Sequence, residues 1–365
     1  MKNILSVVGA RPNYMKVAPV HRAFEPYGDR FTHAIVHTGQ HYSSAMSDAF
    51  FVDLQMPEPV EFLQASSGTH AEQTAKIMVR FEKVCLERKP DLVLVAGDVN
   101  STIACALTAA KCGIPVGHIE AGLRSFDRLM PEEINRVATD SISTYAFVTE
   151  QSGLDNLRRE GFPEDHTFFV GNTMIDSLHF SLRAAQKANL CASLGIAPRS
   201  YVLVTLHRPS NVDDPVQLRR LLEILVEFSR RRTVVIPLHP RTRKNIGVFG
   251  LDQIVSAASG LRLMEPLGYI DFLSLLVAAD FVMTDSGGIQ EETTALDIPC
   301  LTLRTTTERP ITCELGSNQL IRPEPEQLHE AFANLLDKPR KKAKLPPFWD
   351  GRAAERIVQT LVGLL

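Results

Sequence analysis

The sequence predicts an α/β protein built from two parallel-sheet halves. Three observations carry that expectation. Short apolar, β-rich runs alternate with longer helical patterns from end to end, the order of strand and crossover helix in a parallel sheet. The pattern pauses at a polar helical stretch near 181–194 and then restarts. A length of 365 residues suits two domains.

In the first half, strands are expected at 4–8, 33–37, 92–96, 116–119 and 146–149, with 168–170 closing the series. Helices lie between them, 71–88 and 102–112 among them. The second half offers strands at 201–206, 233–237, 262–264, 281–284 and 300–303, with helices at 215–229 and 270–279. Residues 351–364 read as an amphipathic helix that packs back on the first half. The expected division is therefore 1–172 for the N-terminal domain and 173–350 for the C-terminal one, with 351–365 returning to the first. Two such halves imply a cleft between them, with ligands at the carboxyl ends of the strands.

Composition narrows the function. A net charge of −3 offers no basic excess to neutralise a polyphosphate backbone, so nucleic acid is not an expected partner. The single tryptophan, Trp349, also weighs against a base-stacking platform. The cysteines at 85, 105, 112, 191, 300 and 313 form no CxxC pair, which fits reduced thiols in a cytoplasmic protein. No metal cluster is visible, and no cofactor is expected. The apolar start, 4–8, is short and followed at once by Arg11 and Lys16, so it reads as a buried strand and not a signal peptide. No apolar run reaches the ~18 residues of a membrane span.

The most informative run is 284–292, TDSGGIQEE, directly after an apolar strand and before a helix expected at 293–297. A small-residue turn there presents backbone N–H groups at the positive end of a helix dipole, which suits phosphate at Ser286, Gly287 and Gly288. The acidic pair one turn later suits ribose hydroxyls. A tight turn with a capped helix is the plainer alternative.

Other strand ends add charge. Gly9-Ala10-Arg11-Pro12 closes the first strand and places Arg11 and Lys16 within reach of the cleft. Asp98, after the third main strand, is either a helix N-cap or a cleft carboxylate. Glu120 ends a short strand beside a glycine. Glu132 and Glu133 sit in the first turn of a helix opened by Pro131, where the dipole alone would explain them. His207-Arg208 and His239-Pro240-Arg241 stand at strand ends of the second half, and Thr305 to Arg309 supply hydroxyls and a cation. Cations and carboxylates facing one cleft suit acid/base work on a bound nucleotide derivative.

Together, GARPNYMKVAPV, HTGQHY, LVLVAGDVNST, GHIEAGLRS, MPEEINR, VGNTMIDSL, HRPSN, LHPRTR, TDSGGIQEE and TTERP run in order from 9 to 310. In this the chain resembles the non-hydrolysing UDP-N-acetylglucosamine 2-epimerases. The resemblance implies two Rossmann-like domains facing across a cleft, the glycosyltransferase-B architecture, and a homodimer. It implies interconversion of UDP-GlcNAc and UDP-ManNAc for cell-surface polysaccharide precursors. It also implies roles: Asp98, Glu120, Glu132 and His207 in catalysis; Ser286, Gly287 and Gly288 at the diphosphate; Glu292 at the ribose; Phe272 at the uracil; Arg11, Lys16 and Arg309 lining the substrate site. The segments at 41–46 and 66–70 lack the Gln and Arg of substrate-activated members, which counts against allosteric activation. They resemble instead relatives acting on UDP-2,3-diacetamido-glucuronate. The rival readings are a glycosyltransferase of the same architecture, a hydrolysing epimerase and a silent nucleotide-sugar binding module.

Overall fold

The computed structural model describes residues 1–40, 51–65, 68–256, 258–337 and 342–365, with the side chain of Arg11 also outside the description. The end of HTGQHY, the segment 41–46, part of 66–70 and most of the basic run at 338–344 lie outside the described residues. The chain divides into two units, Met1–Phe180 with Pro347–Leu365, and Ser181–Pro346.

The first unit holds one parallel sheet of β1 (Lys2–Val8), β2 (Phe31–His37), β3 (Glu61–Phe62), β4 (Leu92–Ala96), β5 (Val116–Ala121), β6 (Tyr145–Val148) and β7 (Thr167–Phe169). Its spatial order is β3-β2-β1-β4-β5-β6-β7. β1 lies between β2 and β4, with Ile4 opposite both His33 and Leu92. β4 is buried along its whole length because helices cover both faces. The helix Arg11–Phe24 follows β1. The helix His70–Arg88 starts on a reciprocal cap, in which Thr69 accepts from the Glu72 amide and Glu72 accepts from the Thr69 amide. It buries Ile77, Phe81, Val84 and Cys85.

The second unit repeats the plan with β8 (Tyr201–Thr205), β9 (Thr233–Pro237), β10 (Leu261–Met264), β11 (Phe281–Thr284), β12 (Cys300–Leu303) and β13 (Asn318–Ile321). The order is β10-β9-β8-β11-β12-β13, again all parallel. The helix Pro215–Ser229 starts with Asp214 accepting from the Gln217 amide at 2.7 Å and buries Leu218, Leu221, Leu222, Leu225 and Phe228. Phe228 stacks on Phe332 at 3.8 Å between ring centres, tying that helix to Pro325–Asp337.

Each unit is thus a doubly wound Rossmann-like sheet, and the expected α/β class holds. In each the strand order reverses beside its first strand, between β1 and β4 and between β8 and β11, where ligands of such sheets bind. The units part at Phe180/Ser181 and Pro346/Pro347 where the sequence reading put bounds at 172/173 and 350/351, and two further details differ. Edge strands β3 and β13 were not expected. The helix after β11 spans Gly287–Ala295, so it begins at the glycines and not at Thr293. Among the described residues, no helix is long and apolar enough to cross a membrane.

Candidate active site

In the first unit, the site begins at the turn after β1. Asn13 accepts from the amides of Gly9 and Ala10, at 3.1 and 3.0 Å, and donates to the Ala96 carbonyl at 2.8 Å. This ties the end of β1 to the end of β4. A Cβ on Gly9 would run into Ser101 and Thr38, so only glycine fits. Arg11 opens the next helix, and Lys16 one turn on is buried and ion-paired with Glu120.

Glu120 has a positive φ of 75°, and the pairing of β5 with β6 slips between Ile119 and Ala121. A bulge of this kind re-aims a side chain, and a non-glycine residue in that conformation costs on the order of 1–3 kcal/mol. Gly97, with φ of 67°, lies under the pair: a Cβ there would sit 2.7 Å from Lys16 Nζ and 3.2 Å from Glu120 Oε2.

Asp98 is not a helix cap; Val99 holds that position before the helix Asn100–Lys111. Asp98 pairs with Arg136 and remains partly exposed. The two acids of MPEEINR separate by helix phase. Glu133 is buried and accepts from the Ser125 amide, the Ser125 hydroxyl and the Phe126 amide, each at 2.9 Å, while Arg136 reaches it at 2.8 Å. Glu132 is half-buried on the same helix, Pro131–Ile142.

Beneath these residues lies a buried polar layer that the sequence reading missed. His118 contacts Asp140 through Nδ1 at 2.6 Å and the Gly97 carbonyl through Nε2 at 2.8 Å. Asp140 also accepts from the Gly122 amide at 3.0 Å and pairs with Arg124 at 2.7 Å. Burial alone would raise its pKa; His118 and Arg124 outweigh burial and hold it below the usual carboxylate range. The signal for His118 was its place two residues before Glu120 in the same short strand.

In the second unit, His207 follows β8. Its Nδ1 lies 2.9 Å from Asp285, a fully buried carboxylate after β11. Its ring lies 5.4 Å from that of His239. Ser286 occupies the N-cap position of Gly287–Ala295, yet its side chain makes no capping hydrogen bond. The first-turn amides are therefore not satisfied by their own cap, which suits an anion. Gly287 is constrained: a Cβ would lie 2.8 Å from both Arg309 Nη1 and Glu308 Oε1. Arg309 is buried and pairs with Glu291 at 2.7 Å and with Glu308.

Glu292 is buried and accepts from the Tyr269 hydroxyl at 2.9 Å. Burial pushes its carboxyl up to about 7, with Tyr269 opposing and Glu291 assisting. Phe272 is half-buried three residues after Tyr269 on the helix Tyr269–Ala278, so the two share a face.

Among the described residues, no group of three or more His, Cys, Asp and Glu side chains is arranged to hold a metal. All six cysteines are free, and burial pushes Cys85 and Cys300 up to about 12, far from a thiolate nucleophile.

The model of the UDP-N-acetylglucosamine 2-epimerase family matches residues 27–362. The chain belongs to that family. It is an isomerase of the non-hydrolysing type, as the resemblance implied. The UDP-N-acetylglucosamine 2-epimerase of Methanocaldococcus jannaschii is 43% identical over 360 residues, 97% of each chain. The crystal structure of the M. jannaschii UDP-GlcNAc 2-epimerase in complex with UDP-GlcNAc and UDP superposes with a TM-score of 0.91 over 100% of both chains. The UDP-2,3-diacetamido-2,3-dideoxy-D-glucuronate 2-epimerase of Pseudomonas aeruginosa is 39% identical over 368 residues, 99% of each chain.

Proposed function

We propose that this protein interconverts UDP-GlcNAc and UDP-ManNAc by eliminating UDP and adding it back. The observation that carries the reading is the full-length likeness to the M. jannaschii enzyme, whose crystal structure contains UDP-GlcNAc and UDP.

The chemistry explains the residue set. The C2 hydrogen of an N-acetylhexosamine has no carbonyl beside it and is barely acidic. Cleavage of the C1–O bond puts positive charge on C1 and loosens the C2 proton. A carboxylate takes that proton, the C1–C2 double bond forms, and the products are 2-acetamidoglucal and UDP. Protonation of C2 from the opposite face, with return of the UDP oxygen to C1, completes the inversion. The site must therefore stabilise a leaving diphosphate and serve both faces of the sugar with acid/base groups.

In this reading Asp98, Glu120 and Glu132 share the proton transfers. Lys16 and Arg136, paired with Glu120 and Asp98, hold those carboxylates in place. His207, Arg11 and the amides of Ser286, Gly287 and Gly288 receive the diphosphate. Glu292 accepts from the ribose, Phe272 faces the uracil, and Arg309 braces the glycine turn. A homodimer in the cytoplasm belongs to the same reading.

Turnover of UDP-GlcNAc in heavy water, followed by NMR, tests it. UDP-ManNAc must form, and deuterium must enter at C2 of both sugars. Epimerisation without exchange contradicts the elimination route, and free sugar plus UDP as the end products points to hydrolysis. The likeness to the P. aeruginosa enzyme favours a second substrate, the diacetamido-glucuronate. The same time course with that sugar decides between them by kcat/KM.

A further inference from the structure

We infer that Asp285 is the positioning residue for His207, holding ring Nδ1 so that Nε2 is the nitrogen presented to substrate. The direction of Nε2 towards a diphosphate rests on the proposed function; the hold on Nδ1 does not.

The two oxygens of Asp285 share the His207 amide and otherwise divide their partners. Oδ2 accepts from the His207 amide at 3.0 Å, the Arg208 amide at 2.9 Å and Asn211 Nδ2 at 3.1 Å. Oδ1 faces His207 Nδ1 at 2.9 Å and the His207 amide at 3.1 Å. One fully buried carboxylate thus fixes both the backbone turn after β8 and the ring that the turn carries. Asn211 also donates to the Leu303 carbonyl at 3.1 Å, which anchors the turn to the end of β12. Burial by itself would raise the Asp285 pKa, but His207, the Arg208 amide and Asn211 together keep it below the usual range, so it stays an acceptor at neutral pH.

An acceptor opposite Nδ1 requires a proton on Nδ1. When the ring is neutral, Nε2 then carries the lone pair. When Nε2 also takes a proton, Nε2–H becomes a donor to a departing phosphate oxygen. Without Asp285, the ring is free to place its single proton on Nε2.

Asp285→Asn separates these effects. The oxygen with three donors stays an oxygen, so the turn keeps those three hydrogen bonds and gives up only the second contact of the His207 amide, at 3.1 Å. The new NH₂ group replaces the oxygen facing Nδ1 and demands a lone pair there, which forces the proton onto Nε2. The ¹⁵N spectrum of the His207 ring reads this directly. In the unsubstituted protein Nδ1 carries a proton; in Asp285→Asn it carries none. With UDP-GlcNAc, kcat falls on the order of 100-fold, the scale of losing proton donation, since a ring whose only proton is on Nε2 cannot release it to the departing phosphate, while KM changes only a few-fold. An unprotonated Nδ1 in the unsubstituted protein overturns the inference before any variant is made. Unchanged ring signals or an unchanged kcat in the variant overturn it as well. If no UDP-sugar turns over at all, the proposed function fails, and the ring spectra still decide the role of Asp285.

Discussion

At Gly97 one hydrogen atom does what no side chain can. The backbone adopts a left-handed φ of 67°, and the space above Cα is taken by Lys16 and Glu120. Gly97→Ala therefore strains the turn and displaces the buried ion pair. If Glu120 serves the proton transfers as proposed, a shift approaching 1 Å in its carboxylate costs on the order of 100-fold in rate. We expect kcat to fall by that order with UDP binding to the intact protein little changed, since the proposed diphosphate and ribose contacts at Ser286 to Glu292 are remote in sequence from this turn. Calorimetric titration with UDP beside steady-state rates checks this; equal losses in both would mean general unfolding. Much at this scale was not legible from the sequence. Asp98 read equally well as a cap or a carboxylate, because its partner Arg136 is 38 residues away. Glu132 and Glu133 looked equivalent until helix phase buried Glu133 against Ser125 and Phe126. Asp285 passed unnoticed beside the glycines, since its role depends on a contact 78 residues back.

The helix Gly287–Ala295 shows why an element can be placed correctly and bounded wrongly. Two glycines open it, and glycine is disfavoured in helix interiors by up to about 1 kcal/mol. Propensity thus moved the expected start to Thr293, while tertiary packing starts it at Gly287. The edge strands β3 and β13 escaped for another reason: β3 has two residues, and β13 mixes Asn and Gln with its apolar positions. Central strands such as β4 and β8 were legible because burial on both faces demands an unbroken apolar run. The early start of the helix has a consequence. Gly287 is in its first turn, hemmed by Arg309 and Glu308, and these are held in turn by Glu291 and Arg304. In Gly287→Ala the methyl group must push that paired network or move the turn. We expect UDP to bind about 10-fold more weakly, a loss of about 1.4 kcal/mol. Calorimetric titration measures it, and an unchanged Kd would remove this turn from the nucleotide site.

For the whole molecule, alternation of strand and helix made both sheets readable, because each crossover must carry a helix back over the sheet. What a local pattern cannot give is where the last segment goes. Residues Pro347–Leu365 belong to the first unit although the second intervenes. Trp349 is fully buried there and donates to the Thr149 carbonyl at 3.1 Å. The helix Ala353–Leu364 packs on Arg11–Phe24, burying Ile357, Val358 and Leu361, and Asp176 accepts from the Ala353 and Ala354 amides at 3.1 and 2.7 Å. Burying a side chain such as Ile, Val or Leu contributes about 1.5–3 kcal/mol, so these three alone rival the ~5–15 kcal/mol by which a domain is stable. The first unit therefore cannot complete its core until the end of the chain is made. Ile357→Ala should cost about 2–5 kcal/mol, mostly from the cavity it leaves against the first helix. Because the only tryptophan sits in this segment, its fluorescence reports the unfolding of the first unit selectively. The denaturation midpoint by Trp349 emission should fall in the variant, while UDP should still protect the second unit. A midpoint unmoved by Ile357→Ala would mean that the C-terminal helix contributes little to holding that unit together.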